Sequence, residues 1–246
     1  MATIDTLQPN IKKGLTILLA GFSLSVTAVL AMGPLTQDPE YHNFADQRSL
    51  AGIPNFADVV SNLAFFIAGV VGLYKISPKT NKKIYYSIFG SLVLVAFGSG
   101  YYHLAPSDQT LFWDRLPMTF FFMSLFSAVI GEYISLSLGR ALFVPLLLAG
   151  AASVLFWHFH ENHDLRPYIL AQFFPMLAVP ALLLFLNSEH SRKRGYWMLL
   201  LMYVLAKVCE TFDLEVYAFS GFVSGHTLKH LLSGLGLYLL LGSYRA

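Results

Sequence analysis

Eight largely apolar stretches, at about residues 14–32, 57–74, 84–103, 117–134, 141–158, 168–186, 196–213 and 225–243, occupy most of this 246-residue chain. Each is close to the roughly 17–25 residues that an α-helix needs to cross bilayer hydrocarbon. In hydrocarbon no water satisfies a free N–H or C=O, so each crossing segment must close its own backbone hydrogen bonds, as a helix does. With 56% apolar and only 12% charged residues, the chain lacks the polar surface of a water-soluble globule. The expected fold is all-α, a polytopic membrane helical bundle in which one extra N-terminal hydrophobic helix precedes a seven-helix core.

The connecting segments are short, with no fixed-period repeat and no linker that would join a second soluble domain. The expected organisation is an N-terminal transmembrane helix in residues 1–34 and one domain in 35–246. Lys12 and Lys13, the apolar run after them and Val29-x-Ala31 also fit a cleaved signal peptide, but the run is long for one. Cys209 is the single cysteine, so helix packing rather than an intrachain disulfide holds the fold. A net charge of +2, with no basic stripe, gives no reason to expect a nucleic-acid partner.

The placement of the basic residues says more than their sum. With the N-terminus in the cytoplasm, Lys12, Lys13, Lys75, Lys79, Lys82, Lys83, Arg140, Arg192, Lys193, Arg194 and Arg245 fall on the inner side. Arg48, Arg115 and Arg166 fall in outer loops, and Lys207 and Lys229 near helix ends. Positive charge collects on the cytoplasmic side of membrane proteins. This orientation brings the end of the third stretch, the start of the fourth and the start of the eighth to the outer face.

Those ends carry Ser99-x3-His103, Asp114 and His226-x3-His230. Residues four apart share a helix face, so His226 and His230 can converge on one ion. Zinc takes imidazole nitrogens, and a catalytic site keeps three protein ligands with one position open; His103 supplies the third. Such groups are costly inside a membrane without a function. Asp114 precedes Leu116-Pro117, and Pro117 suits the first position of a helix. The Asp114 carboxylate is therefore expected near the membrane interface, with Asp114 and Ser99 as catalytic residues and His103, His226 and His230 as metal ligands.

The segments GSGYYHLAPSDQTLFWDRLPM (98–118), GHTLKHLLSGLGLYLL (225–240) and DVVSNLAF (58–65) resemble the alkaline ceramidases. They also resemble the wider CREST superfamily, which includes the adiponectin and progestin receptor-like membrane proteins. The resemblance spans about residues 45–243 and implies a seven-helix membrane hydrolase. It implies Zn2+ on His103, His226 and His230, Ser99 and Asp114 beside the water that attacks, and a membrane lipid amide, ceramide or a related N-acyl lipid, as substrate. A receptor-like member with a structural or weakly hydrolytic zinc site is the second expectation, and an ion- or proton-coupled transporter the third. Short loops favour a bacterial inner membrane.

The alkaline ceramidases also imply a calcium-like second site. Asp38, Glu40, Asp46 and Asn55 are the oxygen donors it would use for Ca2+, although Asn55 stands where the family carries glutamate. Lys229 replaces a bulky aromatic beside the histidine stripe and is expected to snorkel toward the interface. His158, His160, His163, Glu161 and Asp164 read as a polar interfacial loop, since their spacing matches no established ligand pattern. Lys207 and Glu210, three apart, are expected to pair on one face, with Asp213 nearby.

Overall fold

A computed structural model describes residues 9–75, 82–188 and 192–243. Lys79 and Arg245, assigned above to the inner side, lie outside these residues. The described chain is helical, with helices α1 (Pro9–Ala31), α2 (Phe56–Ser61), α3 (Leu63–Lys75), α4 (Lys82–Leu104) and α5 (Asp108–Tyr133). They are followed by α6 (Leu136–Phe159), α7 (Arg166–Phe185), α8 (Lys193–Thr211), α9 (Asp213–Ser220) and α10 (Gly225–Gly242), and a 3-10 turn covers Pro39–His42. This is an all-α polytopic membrane bundle.

Among the described residues, six segments, with Phe56–Lys75 taken as one, are long and apolar enough to cross a membrane. The other two long helices, α8 and α10, carry Lys207, Glu210, His226, Lys229 and His230, which lower their apolarity. Both still belong to the bundle, because they pack along each other and α10 also packs on α3.

Packing follows the order α3, α4, α5, α7, α8, α10 and back to α3, with α6 against α5 and α7. α5 is the most buried helix, covered by α4, α6 and α7. Apolar side chains such as Ile88, Phe89, Phe126, Val129 and Leu182 fill the centre. α1 lies outside on α7: Phe22 meets Phe174 edge to face at 5.3 Å, and Lys13 Nζ lies 5.7 Å from the Phe185 ring. That contact sets the start of α1 beside the end of α7, at the bundle end that holds Lys12, Lys75, Lys82 and Lys193.

Two local features differ from the sequence expectation, and both shape the other end. The stretch at 57–74 is broken at Asn62. Its Nδ2 donates to the Asp58 carbonyl at 2.8 Å, and the Ser61 hydroxyl donates to the same carbonyl at 3.0 Å. Side chains that take over a backbone acceptor interrupt a helix in this way. α5 begins at Asp108 rather than Pro117, because Ser107 and Thr110 form a reciprocal capping box. Pro117 is consequently inside the helix, and Asp114 lies well within α5, buried, rather than at its start.

The segment 32–55 covers the site end and is stitched to it along its length. Leu165 N–H donates to the Leu35 carbonyl at 2.8 Å, and Leu35 N–H to Asp164 Oδ1 at 3.3 Å. Further on, Ala45 N–H donates to Asp213 Oδ2 at 2.9 Å and Arg48 Nη2 to the Phe222 carbonyl at 2.6 Å. Asn55 then enters α2 with φ +45°, a left-handed conformation that asparagine tolerates better than most side chains.

Candidate metal centre

His103 is the last-turn residue of α4, and His226 and His230 are one turn apart at the start of α10. Their ligand nitrogens all lie within 4.8 Å of one another, and all three residues are buried. His226 Nε2 is 3.3 Å from His103 Nε2. Among the described residues this is the one cluster of three or more His, Cys, Asp or Glu side chains able to share an ion.

Close helix approach builds the cluster. A Cβ at Gly225 would overlap the Cys209 carbonyl oxygen, so only glycine lets the start of α10 press against the end of α8. Asp213 Oδ1 then accepts the His226 N–H at 2.7 Å, while Ser224 caps α10 by accepting from Thr227 N–H at 2.9 Å. Phe44 packs over the imidazoles, its ring 4.6 Å from both His103 and His226. Asn55 Nδ2 donates to the His103 carbonyl at 2.8 Å, fixing the end of α4.

The surrounding hydrogen bonds also accommodate the tautomer that a metal needs. Ser61 Oγ lies 2.7 Å from His230 Nδ1 and 3.0 Å from the Asp58 carbonyl, so when Nδ1 carries the ring proton the hydroxyl accepts from it and donates its own proton to that carbonyl. With Nδ1 protonated, the lone pair of Nε2 is free for a metal, as partners of ligating histidines commonly arrange. Asp58 itself is fully buried. Its Oδ1 accepts from Thr227 Oγ1 at 2.6 Å and Ser224 Oγ at 3.3 Å, whereas Oδ2 has no partner.

Ser99 lies one turn before His103, with its side chain beside the Asp114 carboxylate. Both line a cavity of about 270 Å³ together with His230. Phe65, Leu92, Val95, Phe121, Phe122 and Leu237 give that cavity an apolar wall. Lys207 and Glu210 pair at 2.5 Å and also line it, so the pair is part of the cavity wall as well as packing.

Lys229 departs from expectation. Instead of snorkelling away it turns inward, with Nζ 2.8 Å from His226 Nε2 and 3.2 Å from Glu210 Oε1. The signal was in the spacing, because position 229 is three after 226 and shares its helix face.

Asp38, Glu40, Asp46 and Asn55 are not brought together. Asp38 caps the 3-10 turn by accepting Glu40 N–H at 3.0 Å, and Glu40 accepts from Asn43 Nδ2 at 2.6 Å. Asp46 is bound by Arg48 Nε at 2.8 Å and Nη2 at 2.7 Å, and those hydrogen bonds hold its carboxyl below the usual carboxylate range. The second histidine group is equally dispersed: His160 stacks on Phe156, His163 Nδ1 meets the Trp157 carbonyl at 3.1 Å, and Asp164 holds Arg166. The sequence reading missed Asp58, Ser61 and Phe44, whose roles depend on partners in distant parts of the chain.

Fold and site together define a polytopic helical membrane protein with three buried histidines beside a largely apolar cavity that Ser99, Asp114 and His230 line. A family model described as Ceramidase matches residues 42–245, and the chain belongs to the ceramidase family. A search among curated proteins finds no match.

Proposed function

We propose that this chain is a zinc-dependent hydrolase that cleaves the N-acyl bond of ceramide or a related N-acyl lipid. The observation that carries the reading is the convergence of three buried imidazoles, in a ceramidase-family chain, beside an apolar cavity that also presents Ser99 and Asp114. The donor set fits: neutral imidazoles suit zinc, three leave a coordination position open, and Ser61 stands ready to accept from His230 Nδ1 when Nε2 ligates. When bound, zinc supplies Lewis-acid polarisation of the amide carbonyl and brings the pKa of water down to about 7.

The protein's own groups do the rest. Asp114 orients the attacking water and accepts its proton as general base. Ser99, one turn below His103, donates its hydroxyl to the carbonyl oxygen as negative charge develops there. The apolar wall receives the acyl chain, which sets the scissile amide at the histidines. Packing of α1 on α7 supports an N-terminal segment 1–34 that keeps its helix, Pro9–Ala31, ahead of a hydrolase domain in 35–246. The basic residues gathered at the opposite end support a cytoplasmic N-terminus with the site facing the outer side of a bacterial inner membrane. Zinc content and N-acyl lipid turnover on one purified preparation test this reading.

A further inference from the structure

Arg115 follows Asp114 and lines the same cavity. It is only 5% exposed. Nη2 donates to Gln37 Oε1 at 2.6 Å, while Nη1 is buried without any hydrogen-bond partner. Among the described residues it makes no ion pair. Aromatic faces surround the guanidinium, with ring centres at 4.3 Å for Trp157, 4.7 Å for Tyr168 and 5.6 Å for Tyr41. These faces recover part of the lost hydration, but a buried charge remains costly until an opposite charge joins it. A planar guanidinium with an unpartnered N–H group is suited to an oxyanion.

The rest of the wall has the same bias. It presents three cations, Arg115, Lys207 and Lys229, against two carboxylates, Asp114 and Glu210. Glu210 is shared, at 2.5 Å from Lys207 and 3.2 Å from Lys229. Position along the bundle matters too: Tyr41 and Leu165, which line the cavity with Arg115, belong to the loops that cover the site end. Leu92, Phe122 and Leu237 line it deeper along their helices. An acyl chain in the deep part sets its carbonyl near the histidines and leaves the other half of the lipid toward Arg115.

We propose that the cavity is built for a lipid amide with an anionic oxygen group, phosphate or carboxylate, in its headgroup, and that Arg115 is the specificity residue that receives it. The amide part of this statement rests on the hydrolase reading; the anion part stands on the unpaired guanidinium. Binding and turnover therefore need separate measurement.

Calorimetry on the full-length protein in non-ionic detergent, with and without chelator, would compare a long-chain alkyl phosphate with the alcohol and the fatty acid of equal chain length. The phosphate is expected to bind about tenfold or more tighter than the alcohol, chelator or not, as a charge-assisted hydrogen-bonded pair gives. Arg115→Gln should abolish the advantage, Arg115→Lys should keep part of it, and Gln37→Ala should keep it in full. Equal binding of phosphate and alcohol by the wild type overturns the proposal without reference to any variant's folding. So does an advantage that vanishes with chelator, which would put the anion on the metal. In turnover, a phosphate-bearing N-acyl lipid should show a KM about tenfold below its neutral counterpart, a gap lost in Arg115→Gln. Equal KM values with Arg115-dependent fatty-acid binding would make the site a product carboxylate site and refute the headgroup assignment. Failure to cleave any amide would instead count against the hydrolase reading, leaving the binding result intact.

Discussion

Gly98 of α4 faces the Trp113 carbonyl of α5 so closely that a Cβ at position 98 would overlap its oxygen. Pro117 has no N–H to return to that carbonyl four residues earlier, so the α5 ladder is open at the point where α4 leans in. The approach brings Ser99 to Asp114. Gly98→Ala should destabilise the protein by about 1–3 kcal/mol, the usual cost of overpacking, and lower turnover by separating the two side chains. Thermal unfolding with and without that substitution checks the first effect and N-acyl lipid turnover the second; an unchanged pair of values would mean that α4 and α5 have room to spare.

Ser61 tests the role of hydrogen bonding behind the ligands. Loss of its hydroxyl in Ser61→Ala removes the acceptor of His230 Nδ1–H, and zinc affinity should fall about 10–100-fold while the fold remains. Competition with a chelator of known affinity measures it. A wild-type affinity in the variant would show that Asp58 and α10 orient His230 without Ser61.

Asp114 separates chemistry from scaffold. Ser107, not Asp114, caps α5, so a loss in Asp114→Asn cannot be ascribed to the cap. The substitution should retain zinc and lower turnover by on the order of 10²–10⁴, the usual contribution of a general base. Ser99→Ala should also retain zinc and lose activity by a smaller or comparable factor. Full activity in Asp114→Asn would remove this carboxylate from the mechanism, and zinc loss would make it a ligand.

Asp164 gives a pH dependence outside the membrane spans. Hydrogen bonds from the Arg166 guanidinium, with help from the backbone N–H groups of Arg166 and Leu35, bring its carboxyl down to about 2 from an ordinary 3.8. A group depressed in the folded state binds fewer protons there than in the unfolded chain. Its stabilisation is complete above about pH 4 and fades as pH falls toward 2. Asp164→Asn should unfold at lower temperature than wild type near neutrality, and the gap should close over that interval. A gap independent of pH would show that the tie is not ionic.

The three histidines were legible because each lies on a recognisable helix end and two obey a four-residue spacing. The start of α5 was not, because Pro117 reads as a helix opener while the deciding signal, Ser107 with Thr110, lies in a polar stretch upstream. Asp58 was hidden for a different reason. Its partners Ser224 and Thr227 are 166 and 169 residues away, so the resemblance over 58–65 does not say what it bonds. Lys229 was legible in principle, but long lysines at helix ends usually reach for water; here Glu210 and His226 offer it partners inside. The acidic residues at 38–46 show the converse, where a plausible ligand set dissolves into a turn cap and an arginine pair.

Purified protein, prepared without chelator and assayed for bound metal and for release of fatty acid from a panel of N-acyl lipids, tests the central claim most directly. The account predicts about one zinc per chain, fatty-acid release from at least one member of the panel, loss of release on chelation and recovery on adding zinc back. A preparation that holds no transition metal, or one that hydrolyses N-acyl lipids equally well before and after chelation, would contradict it.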